Sequence, residues 1–146
     1  MEDIKIKIIN TDNPIYQKEL QLRDEVLRKP IGLNIENEDL SDEPNQIHFV
    51  ALIDSELVGV VLLKLESKAG KLRQMAVKPE IQGKRLGTRL VEALELHAKS
   101  QGLKEISLHA RHYAAGFYEK IGYTITSKPA FVEVGINHFE MKKEIN

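Results

Sequence analysis

Isoleucines at positions 4, 6 and 8 alternate with Lys5 and Lys7, the period-two pattern of a half-buried strand, which places a first edge strand here. Turn and cap residues from Asn10 to Pro14 then precede a segment running to about Arg28, in which Tyr16, Leu20, Arg23 and Leu27 share one helical stripe. From residue 29 to residue 46 the periodicity dissolves into Pro, Gly, Asn and acidic residues. A loop of that length is more than a connector and shapes binding sites in many folds. Ile47 to Ile53 and Leu57 to Leu65 are rich in β-forming residues and flank Asp54-Ser55-Glu56, the pattern of an antiparallel hairpin. Ser67-Lys68-Ala69-Gly70 turns the chain again, and Lys71 to Val77 gives a third meander strand that Pro79 ends. From Lys84 to about Ser100, Leu86, Leu90, Val91, Leu94 and Ala98 recur at helical spacing and Gly102 marks the stop. Glu105 to Ala110 then reads as a strand parallel to 71–77, reached by a right-handed crossover. A short amphipathic helix spans Arg111 to Ile121 before Gly122. Tyr123 to Thr126 and Asn137 to Lys143 complete the sheet, with an extension through Phe131 to Val134. No internal repeat, low-complexity tract or linker interrupts the pattern.

A chain of 146 residues fits one domain, 1–146, with a real core. Lys and Arg number 21 against 22 Asp and Glu, so the net charge of −1 gives no reason to expect a nucleic-acid or membrane-surface binder. The absence of cysteine excludes disulfides, thiolate metal sites and a cysteine nucleophile. No window reaches membrane-spanning length, so a soluble cytoplasmic protein is the expectation.

The stretch from Leu72 to Leu90 is an apolar strand, a Pro-marked turn, a Gly-bearing basic loop and a helix start. That layout binds anions, because the free N–H groups of a helix's first turn and the positive end of its dipole favour phosphate. Gly83 and Gly87 let a ligand approach the backbone closely. The loop lacks the Gly-Lys-Ser/Thr ending of a nucleotide-binding P-loop. The element order and the segment Gln82-Gly83-Lys84-Arg85-Leu86-Gly87, followed by Thr88, resemble the GNAT superfamily of acyl-CoA-dependent N-acyltransferases and its Gln/Arg-x-x-Gly-x-Gly/Ala loop. Ala114-Ala115-Gly116-Phe117-Tyr118-Glu119-Lys120-Ile121-Gly122-Tyr123 resembles the superfamily's A-x-x-F-Y-x-x-x-G-F signature. The resemblance implies an α+β fold: a mixed, mostly antiparallel central sheet of roughly six to seven strands, helices on both faces, and a parallel, splayed pair at the cofactor cleft. It also implies acetyl-CoA as co-substrate, with no metal. The cofactor is expected on Met75, Ala76 and Val77, on the loop from Gln82 to Thr88, and on Ala114, Phe117, Tyr118 and Lys120. Tyr118 is the implied general acid, protonated at neutral pH because a phenol titrates near 10. Arg85 stands where the middle glycine is usual, so its conformation must suit a residue with a Cβ.

A narrower resemblance, to the glyphosate N-acetyltransferase group, rests on Arg73 before Gln-Met-Ala, Arg111 after His109-Ala110, Gly135-Ile136-Asn137-His138 before Met141 and Lys142, and Arg28 in its Val-Leu-Arg context. It implies that Arg28, Arg73 and Arg111 bind an anionic amine acceptor, a role that suits the two-pronged guanidinium. It makes His138 the candidate base, with Glu133 either a rival base or a partner for that histidine. His109 and His112 lack metal-ligand spacing, and His48 and His97 carry no signal. The implied chemistry is direct acyl transfer, the thioester carbonyl being polarised by a backbone N–H near Met75 and Ala76 where a bulge splays the strands. The partner is then a small-molecule amine, and dimers are common in the fold. Two alternatives stand beside this reading. One is acetylation of a protein lysine or polyamine, favoured if Glu36, Glu38, Asp39, Asp42 and Glu43 make the long loop's field negative. The other is a non-catalytic acyl-CoA sensor.

Overall fold

The alternating segments form one eight-stranded sheet in the computed structural model, which describes residues 3–81 and 85–146. Its strands are β1 (Ile4–Ile9), β2 (Ile47–Ile53), β3 (Glu56–Glu66), β4 (Ala69–Val77), β5 (Glu105–Arg111), β6 (Thr124–Ile125), β7 (Phe131–Glu133) and β8 (Ile136–Glu144). They lie in the order β1-β2-β3-β4-β5-β8-β6, with β7 paired to β8 beside that path. The strand beyond the expected number is β7. Val134 and Gly135, at φ 47° and 78°, supply the doubly left-handed turn that closes a tight β7–β8 hairpin.

Helices cover both faces. The helix α1 (Ile15–Arg23) runs on into a wider π-helical turn over Asp24–Arg28, so the expected helix reaches Arg28 with its last part underwound to the wider form. Ile9, Tyr16, Leu22, Val50, Leu57, Val60, Leu62 and Ala76 are buried together beneath it. On the other face α2 (Leu86–Ser100) inserts Leu86, Leu90, Val91, Leu94 and Ala98, all essentially fully buried, and α3 (Ala115–Lys120) adds Ala115 and Tyr118. Each buried leucine contributes about 1.5–3 kcal/mol, so α2 is held by its stripe. A Cβ at Gly59 would lie 3.0 Å from Leu90 Cδ1 and 3.3 Å from Leu86 Cδ2, so the missing side chain lets α2 approach the sheet closely. Among the described residues no helix is long and apolar enough to cross a membrane.

The sheet opens at one place. The parallel strands β4 and β5 pair only through Ala69 with Glu105, Gly70 with Ile106 and Lys71 with Ser107. Beyond those pairs β5 follows β8, down to Arg111 opposite His138. On its other side β4 carries a bulge: Val60 pairs with Ala76 but Leu62 with Arg73, so Gln74 and Met75 together face Val61. Gln74 takes φ 58° to make that extra residue fit. A bulge bends and twists its strand, and here it carries the end of β4 away from β5.

Candidate active site

The splay is the mouth of a cleft of about 770 Å³ that reaches from the π-helical turn to the start of α2. At one end α2 begins with no side-chain cap and no acidic residue in its first turn. Its first internal bond runs from the Arg89 N–H to the Arg85 carbonyl, so the N–H groups of Leu86, Gly87 and Thr88 precede the helical ladder. All three residues line the cleft. The floor is close-packed there: a Cβ on Gly87 would stand 3.2 Å from the Phe117 ring and 3.8 Å from Met75 Cε. Arg85 also lines the cleft, but it does not take the conformation that its Cβ favours. At φ 60° and ψ 19° it sits in the left-handed region, the geometry a glycine provides more easily. Gln82, Gly83 and Lys84 lie outside the described residues.

Met75, Val77, Ala114, Phe117 and Tyr118 share this part of the cleft. Ala76 does not: alternation turns its side chain to the opposite face, where it is buried beneath α1, and only its backbone remains on the cleft side. Lys120, in the last turn of α3, is exposed and outside the cleft. The Tyr118 ring lies edge-on to Phe117 and Tyr123 at 5.0 and 5.8 Å. Burial pushes its phenol well above the ordinary range, so it stays protonated and can donate.

At the other end the arginines gather, in two different states. Arg73 Nη1 donates to Gln46 Oε1 at 3.3 Å. Arg111 donates from Nη2 to the Leu27 carbonyl at 2.9 Å and from Nη1 to the Tyr113 hydroxyl at 3.1 Å. Neither pairs with a carboxylate among the described residues. Arg28 does: its Nε and Nη2 both donate to Glu38, and Nη2 also donates to Gln74 Oε1 at 2.9 Å. Its charge is therefore neutralised within the chain.

His138 stands opposite Arg111 on one side and Phe131 on the other. Its Nδ1 lies 2.8 Å from the Ile136 carbonyl. A carbonyl only accepts, so Nδ1 carries a proton, and in the neutral ring the lone pair falls on Nε2, the tautomer a base needs. Glu133 is not its partner. The β7 register sets Phe131 opposite His138, and Glu133 Oε1 lies 2.6 Å from His109 Nδ1. The Phe131 ring separates the two histidines, edge-on to His109 at 4.8 Å and stacked on His138 at 5.9 Å. His109 had been set aside for want of metal spacing, although its i, i+2 relation to Arg111 already placed it on the same face.

Residues 16–145 match the acetyltransferase (GNAT) domain family. The chain belongs to the GNAT acetyltransferase family. A provisionally named acetyltransferase of Bacillus subtilis (strain 168) is 31% identical over 126 residues, covering 81% of this chain and 85% of that one. Among solved structures, a provisionally named N-acetyltransferase from Lactobacillus plantarum superposes with a TM-score of 0.83 at 22% identity, over 97% of this chain and 99% of that one. The PaiA N-acetyltransferase from Thermoplasma acidophilum, in complex with coenzyme A, gives 0.76 at 17%, over 97% and 99%. At those identities the two structures establish the shared GNAT fold. Family membership makes the chain an enzyme of the acetyltransferase class.

Behind the cleft this GNAT domain buries a set of charges that the hydropathy pattern hides. Glu19, Arg23 and His48 are fully inaccessible and Glu43 nearly so. Arg23 donates to Glu19 at 2.8 Å and to both oxygens of Glu43 at 2.7 and 2.6 Å, and the Tyr16 hydroxyl donates to Glu43 at 2.8 Å. His48 Nδ1 meets the Glu19 carboxylate at 2.9 Å while its Nε2 meets the Glu43 carbonyl at 2.9 Å. Both partners accept, so both ring nitrogens carry protons and His48 is an imidazolium. Two carboxylates thus balance two cations. Glu19, Glu43 and His48 hold ligand-type atoms within 4.8 Å of one another, but Arg23 already supplies the cation between the carboxylates. The set ties α1 to β2 and to the turn Glu43–Asn45, next to the Gln46 that orients Arg73.

Proposed function

We propose that this GNAT enzyme moves an acetyl group from acetyl-CoA directly to the amine of a small acceptor that carries an anionic group. The observation that carries the reading is the meeting, in one cleft, of Arg73, Arg111 and His138 with the uncapped start of α2. Free first-turn N–H groups suit the pyrophosphate of coenzyme A, and Arg85 adds positive charge beside them. The coenzyme A complex of the Thermoplasma relative and the motifs shared with the glyphosate N-acetyltransferase group support the same division of the cleft. Glu38 and Glu43, counted from sequence toward a negative field for a cationic acceptor, are each held by an arginine, which weakens the polyamine alternative.

Acetyl-CoA supplies the activated acyl carbon as a thioester. The residues do the rest. Arg73 and Arg111 clamp the acceptor's anion and fix its amine at the splay, and that positioning supplies much of the acceleration. His138 Nε2 takes the proton that the amine loses as its nitrogen bonds to the acyl carbon. A backbone N–H at the Gln74–Met75 bulge polarises the carbonyl. The Tyr118 hydroxyl gives its proton to the sulfur as the C–S bond breaks. The chain has no cysteine, in keeping with transfer that needs no cysteine-bound acyl group.

The test is acetyl-CoA titrated by calorimetry, followed by thiol release across a panel of anionic, neutral and cationic amines. Release that depends on an anionic amine supports the reading. Tight acetyl-CoA binding with no amine-dependent release across the panel establishes the sensor instead, and preference for polyamines overturns the acceptor class.

A further inference from the structure

We propose that Glu38 sets the charge of the acceptor: by neutralising Arg28 inside the cleft it restricts the enzyme to amines that carry a single anionic group. The proposal rests on the anionic-acceptor reading above and adds to it the number of charges and the residue that counts them.

Arg28 is built into the wall. Its side chain is 9% exposed, and it lines both the main cleft and an adjoining cavity of about 470 Å³ that Gly32, Leu33, Asn34 and Glu38 enclose. Two of its donors grip the Glu38 carboxylate as a fork, and Gln74, the bulge residue of β4, takes one of them as well. A forked guanidinium–carboxylate pair in a partly dry site satisfies the geometry that an incoming carboxylate or phosphonate requires. The substrate's anion therefore gains nothing at Arg28 without first displacing Glu38. Glu133, the carboxylate that lines the main cleft, is engaged with His109.

Arg28, Arg73, Arg111 and Lys71 line the cleft with Glu133, and Glu38 cancels Arg28 from the adjoining cavity. Arg73 and Arg111, which have only neutral partners among the described residues, are the two forks left to hold one anionic group between them. A second anionic group directed at Arg28 would meet the Glu38 carboxylate that already occupies its fork. The Glu38 side chain itself is 34% exposed, and its backbone N–H donates to the Ile35 carbonyl independently of the carboxylate. Removing the charge need not disturb the turn.

The experiment compares wild type with Glu38→Gln in steady-state CoA release from acetyl-CoA, using glycine and alanine against aspartate and glutamate. The expected result is that wild type favours the monocarboxylates, and that Glu38→Gln raises kcat/KM for the dianionic amines about tenfold or more, since it frees a charge-assisted bond to Arg28. The monocarboxylates should change less than about threefold, the size of a lost surface charge effect. Adding Arg28→Gln to Glu38→Gln should abolish the gain. Glu38→Ala, which removes the same carboxylate, gives the same readout if the Gln variant folds poorly. Turnover with an unchanged ratio between mono- and dianionic amines overturns the Glu38 assignment alone. Acetyl-CoA binding without release on any anionic amine, in wild type and variants alike, overturns the acceptor reading and the proposal with it.

Discussion

Changing Glu43 to Gln keeps the side chain's shape and removes one charge from a balanced, buried set. In the native chain Glu43 accepts Arg23 through both oxygens and the Tyr16 hydroxyl as well. Without its charge, Glu19 is the one carboxylate left facing two buried cations, Arg23 at 2.8 Å and His48 at 2.9 Å. Breaking a buried pair from one side costs about 3–5 kcal/mol because the remaining charge is left uncompensated. At roughly 3 °C per kcal/mol for a domain of this size, Tm should fall by about 10–15 °C. The pH dependence gives an independent readout. Burial opposes charging His48, but its hydrogen bond and attraction to Glu19, with the Glu43 carbonyl, outweigh that and raise its pKa. A raised folded-state pKa means a contribution that is full below about pH 6.5, the unfolded value, and lost as pH climbs through the folded one. For Glu43, burial pushes the pKa up, and the Arg23 hydrogen bonds and charge more than reverse it. Its contribution holds above about pH 4.3 and is lost as pH falls through the lowered folded-state value. Urea melts from pH 4 to pH 9 should therefore show the network's contribution fading on the alkaline side in wild type. A Tm loss below about 3 °C in Glu43→Gln, less than 1 kcal/mol at this size, refutes the reasoning. So does a wild-type network contribution, taken as the difference from Glu43→Gln, that grows between pH 6.5 and pH 8.5.

His138→Gln should lower kcat on an accepted amine by about 10²–10⁴, the usual worth of a positioned base, while calorimetry finds acetyl-CoA affinity unchanged; full turnover would move the base to His109. Tyr118→Phe should lower kcat by about 10² or more if the phenol protonates the leaving sulfur. Because burial holds that phenol above its ordinary range, the wild-type rate should show no loss from Tyr118 ionisation up to about pH 10. Arg85→Gly should leave Tm within a few degrees, since relief of about 1 kcal/mol at φ 60° is offset by glycine's unfolded-state entropy. Acetyl-CoA affinity measured by calorimetry should drop with the lost charge.

Much of the fold was legible because it is written in local periods. The β2 run and the α2 stripe emerged from alternation and helical spacing alone, and the parallel β4–β5 pair followed from the crossover rule. The Gly-basic loop and the Phe117-Tyr118 signature carried the family in the same way. Other features have no local signature. Ile8 keeps the period of β1 yet is 51% exposed, and Ile9 is buried instead, because the strand's last residue turns to the α1 face. Arg23 falls on the α1 stripe as a lone charge and Glu19 has no signal in the pattern, and only tertiary partners from β2 and the 43–45 turn make their burial affordable. His48 looked like any histidine in a strand. Its role comes from a carboxylate 29 residues away, a separation that no window of sequence contains.

The same division bears on the acceptor specificity proposed above. The cofactor end is fixed by the apolar packing of α2 and α3 on the sheet, so its residues announce themselves as motif. The proposed acceptor end adjoins the segment 29–46, which lines the smaller cavity beside Arg28, contributes no residue to the two apolar clusters and buries one apolar side chain, Ile35. That segment is held instead by point contacts: Arg23 with Glu43, Arg28 with Glu38, the Ile35 N–H with the Asp24 carboxylate, and Arg73 with Gln46. Contacts of that kind can be exchanged one at a time without repacking a core. Glu38 is the most exposed of the acidic partners that hold an arginine in this wall, so its charge can change with least effect on stability and, on the proposal above, most on what the cleft accepts. A loop secured by charges rather than by burial can exchange its contacts while the fold stays constant, so on the proposed reading acceptor choice rests on the arginines together with the carboxylates that answer them.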